Sequence, residues 1–174
     1  MIITPTSLTI NQLFGSNNEQ YVIPTYQRRY SWHERHVWEL IEDIKLIEGN
    51  DTHLLGSIVC LAGHHTAGLN KLELVDGQQR LTTITILLEC VRQRLEKDGE
   101  TDDAAEVARL LMAKPLGGKP LRKVALDSID SAEFDRLVQD DDDQSYQNAQ
   151  LQLTFKIIRE WVAEQPLDQL GAFL

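Results

Sequence analysis

The chain has 174 residues, 42% of them hydrophobic, which is enough for one domain to build a core without disulfide or metal support. Its formal charge of -10 disfavours a protein that grips nucleic acid by broad electrostatics, although residues 97–143 hold much of the acid and the run YQRRYSWHER, Tyr26 to Arg35, is net basic. Cys60 and Cys90 give neither a disulfide framework nor zinc-ligand spacing. With no basic leader, and no apolar run near the roughly 20 residues that span a bilayer, the chain reads as a cytoplasmic protein with no membrane partner.

In chain order, SLTINQLF predicts a short helix capped by Ser7 or Thr9. Pro24 blocks a helix interior and pushes Ile23 toward extended geometry. Tyr21 to Ile23 is therefore expected as an edge strand whose end delivers Tyr26, Gln27 and Arg28. From Glu34 to Ile47 the spacing of Val37, Trp38, Ile41, Ile44 and Ile47 predicts an amphipathic helix. His53 to Leu61 and Lys71 to Val75 are expected as two strands of a hairpin, with GHHTAGLN as its tip.

Leu81, Ile84, Leu87, Leu88, Val91 and Leu95 recur at helical spacing, and this predicts a helix over 81–96. Thr82, Thr83 and Thr85 lower its propensity, so packing must hold it. A further helix is expected from about Asp102 to Ala113, then a Gly/Pro-rich connector and a strand in LRKVALD. Ser131 would cap a short helix with Glu133 and Asp135 in its first turn, DDDD at 140–143 would be a solvated loop, and Ser145 to Glu164 a final helix with Leu151, Phe155, Ile158 and Val162 on its apolar face. The closing LDQLGAFL stays apolar to Leu174, from which the chain is expected to continue into a longer protein.

Two constellations carry chemistry. In DGQQR, Asp76 to Arg80, a strand pattern turns into a helix pattern, where backbone N–H groups and a fixed cation can meet a phosphate. Gly77 permits a tight or left-handed backbone, Arg80 can fork onto phosphate oxygens, Asp76 can hold Mg2+ or orient a water, and Gln78 and Gln79 can bond a base, a phosphate or that water. The same residues also suit a plain turn in which Asp76 caps the helix and Arg80 pairs with a surface acid. In IPTYQRRYSWHER, tyrosines, Trp32 and arginines combine stacking faces with phosphate donors, as a nucleotide or unstacked base requires. Equally, Tyr30 and Trp32 could cover the core while the arginines are solvated. His33, His36, His53, His64 and His65 lack recognisable metal-ligand spacing, and no nucleophile triad or paired glycosidase carboxylates stand out.

Taken together, IPTYQRRYSW at 23–32, LVDGQQRLTT at 74–83 and HLLGSIV between them resemble the amino-terminal domain of GmrSD-type, modification-dependent restriction endonucleases. The resemblance implies an α+β fold of ParB/sulfiredoxin-like type, a small mixed sheet packed with helices, with a ParB-like nucleotide-binding core at 1–125 and a helical extension at 126–174. It also implies a nucleoside-triphosphate-binding and hydrolysing regulatory domain for phage defence. The implied catalytic residues are Asp76, Gln78, Gln79 and Arg80; Tyr26, Gln27, Arg28, Gly77 and Arg80 would bind the nucleotide, and Asp76 would hold Mg2+. Implied partners are nucleotide, modified DNA in the full-length protein and a carboxy-terminal nuclease domain of HNH type, whose motif this sequence lacks. The alternatives are a DNA-recognition module sensing modified bases or backbone without hydrolysis, and a purely structural interaction domain.

Overall fold

The computed structural model describes residues 6–46, 55–66, 68–126, 129–139 and 146–170. Thr9 opens the first helix, α1 (Ile10–Gly15), through a reciprocal capping box in which its hydroxyl accepts from the Gln12 N–H and the Gln12 amide accepts from the Thr9 N–H. Strand β1 (Glu19–Ile23) follows, and Pro24 ends it. It is not an edge strand: it lies between β3 (Leu69–Asp76) and β6 (Val124–Leu126), parallel to both, in a sheet of order β2-β3-β1-β6. Pro24 stands just past the last ladder residue, so its missing N–H costs no sheet bond and gives no information about the edge.

Helix α2 (Glu34–Lys45) supplies the crossover that parallel pairing needs. Val37, Leu40, Ile41 and Ile44 form its buried face, with Leu40 where Trp38 was expected; Trp38 is exposed, and Ile47 lies outside the described residues. Strand β2 (Val59–Thr66) starts later than expected and pairs antiparallel with β3, so His64 and His65 stand in the strand and not in a hairpin tip; His53 lies outside the described residues. Alternating apolar residues were thin in GHHTAGLN because β2 is an exposed edge, where burial does not impose a pattern.

Helix α3 (Gln78–Asp98) is buried on nearly every side from Gln78 to Val91, including Thr82, Thr83 and Thr85. Thr83 and Thr85 return their hydroxyls to the carbonyls of Gln79 and Leu81, which satisfies them inside the core. Gly99, left-handed at φ 86, closes the helix, with the Glu100 N–H bonded to the Leu95 carbonyl. Then come α4 (Thr101–Leu111) and a two-stranded sheet of β4 (Met112–Ala113) and β5 (Leu121–Arg122). LRKVALD thus divides between two sheets around Lys123, whose buried ammonium donates to the Ser16 carbonyl and whose pKa burial lowers.

Helix α5 (Ile129–Val138) begins ahead of Ser131, which is inside the helix and not its cap. Asn148 caps α6 (Ala149–Glu164), and α7 (Leu167–Leu170) buries Leu170; Ser145, DDDD and residues 171–174 lie outside the described residues. No described helix is long and apolar enough to cross a membrane. The whole is a mixed α+β fold with a small mixed sheet and flanking helices, as the sequence led us to expect.

Candidate functional site

Strands β3, β1 and β6 run parallel, so their carboxyl ends lie at one rim of the sheet. That rim brings together Asp76, Pro24 and Leu126, residues far apart in sequence, and is where open sheets place their binding crevices. A cleft there is lined by Ile23, Pro24, Gln27 to Tyr30, Gln78, Gln79, Thr82, Leu126 and Asp130. The two sequence constellations therefore meet.

They meet through hydrogen bonds. Gln78 Nε2 donates to the Arg28 carbonyl (3.2 Å), Gln79 Nε2 to the Arg29 carbonyl (3.3 Å), and the Ser31 N–H to Gln79 Oε1 (2.7 Å). From the loop side, Gln27 Nε2 donates to the carbonyls of Leu74 (3.3 Å) and Val75 (3.1 Å). The loop after β1 is thus fastened to the end of β3 and to the first turn of α3. Tyr26 donates to the Glu73 carboxylate, a bond that raises its phenol pKa, yet remains 71% exposed, and Arg28 is exposed beside it.

Tyr30 faces inward, and Arg29, still partly exposed, reaches a buried partner. The Tyr30 hydroxyl shares a hydrogen bond with Thr83 (2.7 Å) and accepts one from Thr154 (3.2 Å), and burial pushes the phenol up to about 12. Tyr30 is therefore core, as one of the two readings of its segment had it, while Trp32 is half-buried and stacks on His36. Arg29 pairs with Asp130 at 2.6 Å. Sequence reasoning missed Asp130, Glu133 and Asn148, all buried. Glu133 accepts from the N–H groups of Gln147 (2.6 Å) and Asn148 (2.9 Å), and Asn148 Nδ2 donates to the Tyr30 carbonyl (3.0 Å) and to Asp130 (3.1 Å). An acid at a helix start reads equally well as dipole compensation, so nothing local distinguished Asp130 or Glu133.

At the turn itself the N-cap of α3 is Gly77, left-handed at φ 89, with no side-chain cap bond. Asp76 is exposed and does not cap the helix; Arg80 Nη1 donates to the Ser57 carbonyl (3.0 Å), and among the described residues it pairs with no acid. Gly56 fits against the Arg80 guanidinium, where an added Cβ would come within 2.5 Å of Cζ. A Cβ at Gly77 would lie 2.9 Å from the Ser57 carbonyl oxygen and 3.1 Å from the Ile58 Cα. Gly77→Ala combines that backbone contact with a left-handed φ, and it is expected to destabilise the chain by about 1–3 kcal/mol. An unchanged thermal melting temperature would show that the turn can relax.

Residues 10–172 match the family model of the GmrSD restriction endonuclease, N-terminal domain. The chain belongs to that family. Comparison with curated proteins gives no match. The small mixed sheet with flanking helices agrees with the ParB/sulfiredoxin-like arrangement of GmrSD amino-terminal domains.

The expectation that this GmrSD domain hydrolyses a nucleoside triphosphate at Asp76 to Arg80 is overturned. Among the described residues, no group of three or more His, Cys, Asp or Glu gathers where it could hold a metal ion. The Gln79 amide bonds the loop backbone at both ends, and Arg80 is bound to Ser57. In the sequence, the fork of Arg80 and the amides of Gln78 and Gln79 looked available because their partners, residues 28–31 and 57, are distant along the chain.

Proposed function

We propose that this domain recognises DNA without hydrolysing nucleotide, presenting Tyr26 and Arg28 from the loop after β1. In the full-length protein the DNA would be modified DNA, and a carboxy-terminal nuclease domain would cut it. The observation that carries the reading is the arrangement of YQRRY: Gln27, Arg29 and Tyr30 tie the loop to the rest of the domain, and Tyr26, whose hydroxyl bonds Glu73, and Arg28 are exposed on the loop that those ties hold. A flat phenol ring and a guanidinium on a fixed backbone suit an unstacked base and its phosphate. A loop already ordered loses little entropy on binding. Because the chain is acidic overall, DNA contact is confined to this patch and each of its residues matters.

The test is fluorescence anisotropy with labelled single- and double-stranded DNA, modified and unmodified, at several salt concentrations. Binding that weakens as salt rises is expected, and Arg28→Ala should reduce affinity on every sequence and lower the salt slope by about one. Tyr26→Ala should cost about 1–3 kcal/mol on single strands and less on duplex. No salt-dependent binding to any of these DNAs, or Arg28→Ala binding as the parent does, would refute the reading.

A further inference from the structure

The backbone of residues 28–31 belongs to no strand or helix, yet side chains from two separate parts of the chain bind it. On one side stand Gln78 and Gln79 of α3. On the other side Asp130 Oδ2, from the first turn of α5, accepts from the Tyr30 N–H (2.9 Å), and Asn148 Nδ2, from the cap of α6, donates to the Tyr30 carbonyl (3.0 Å). Both backbone polar groups of Tyr30 are thus held from the carboxy-terminal third of the chain. Asp130 Oδ1 in turn accepts from Arg29 Nε (2.8 Å), and the Arg29 guanidinium also reaches that oxygen at 2.6 Å.

Asp130 is 1% exposed and has little access to water, so its charge depends on donors such as these. Neighbouring arginines are then told apart by their partners and not by exposure: Arg29, its side chain 42% exposed, is drawn onto α5 by Asp130 at 2.6 Å with Glu133 at 3.6 Å, while Arg28 stands exposed next to it in the chain. We propose that Asp130, assisted by Asn148, is the positioning residue that sets Arg28 for its DNA phosphate, so that α5 and α6 govern the affinity of the site. This inference rests on the DNA-recognition reading. It gives the helices after β6 a part in binding, and it provides a route by which strain on α5 or α6 would reach the loop.

The experiment is a double-mutant cycle on DNA affinity in the full chain, measured well below the melting temperature of every variant. Asp130→Asn preserves shape and one acceptor oxygen, but removes the nearer of the two charges that hold Arg29, leaving Glu133 at 3.6 Å. It is expected to weaken DNA binding about fivefold to tenfold, and to weaken it little further when Arg28 is already alanine. Asn148→Ser retains the helix cap while losing the bond to the Tyr30 carbonyl, and should show a smaller loss with the same dependence on Arg28. This second variant serves if Asp130→Asn folds poorly. A merely structural role would lower the melting temperature and subtract equally with or without Arg28, so additive losses, or parental binding by both variants, overturn the proposal. If Arg28→Ala alone has no effect, the DNA reading itself fails and this inference falls with it; if Arg28→Ala weakens binding and the cycle is additive, only this inference falls.

Discussion

Gln79→Leu is expected to lower the free energy of unfolding by about 2–4 kcal/mol, because leucine approximates the size of the side chain while deserting two backbone groups at once. The Ser31 N–H loses its 2.7 Å acceptor and the Arg29 carbonyl its 3.3 Å donor, at a residue only 7% exposed. Urea denaturation should show a lower midpoint with an unchanged slope, since the surface exposed on unfolding stays the same. Gln79→Glu should not restore stability. It keeps an oxygen for Ser31, but sets a second oxygen against the Arg29 carbonyl. If leucine were tolerated within about 0.5 kcal/mol, water would be replacing both bonds and the tie between α3 and the loop would carry no weight.

Phe155→Ala should be costlier, at about 3–5 kcal/mol. Phe155 is 1% exposed and meets the Phe134 ring edge-on, with centroids 5.4 Å apart and planes at 66°, while the Arg122 guanidinium lies 5.1 Å from the centroid of the Phe134 ring. Truncation leaves a cavity at the contact of α5 with α6, where a rigid helix α3 behind leaves little room for collapse. Melting should fall by roughly 6–20 °C for a chain of this size. Phe155→Leu should recover more than half of the loss. A drop of less than about 1 kcal/mol for alanine would mean that the two helices repack freely, and would weaken the case for α5 and α6 as a fixed support of the loop.

Much of the architecture was legible in the sequence where burial imposes a period. The helices α2, α3 and α6 followed from apolar spacing, and the stop at Pro24 from its ring; the helix expected over Asp102 to Ala113 ends at Leu111, because Met112 and Ala113 pair with β5. The family likewise followed from the two ordered motifs, since the chain matches it over residues 10–172. Boundaries failed where a residue type serves two purposes. Ser131 suits a cap but lies inside α5, and the exposed edge β2 had too weak an alternation to reveal its length.

The site shows a sharper division. Sequence alone determined that Tyr26 to Tyr30 and Asp76 to Arg80 carry an unusual concentration of amides, aromatics and cations. Only tertiary structure decided which of those groups remain available. Parallel pairing of β1 with β3 and β6 sets three strand ends side by side, so Gln78 and Gln79 find carbonyls some 50 residues away in sequence and Arg29 finds an acid about 100 residues away. Local composition records what a side chain can bond, but which partner it bonds depends on long-range register, and that register is fixed by burial of the sheet and of α3. Arg28 and Arg29 are the same residue type in adjacent positions, and no local signal separates them; the carboxylate of Asp130, brought in by β6 and α5, does.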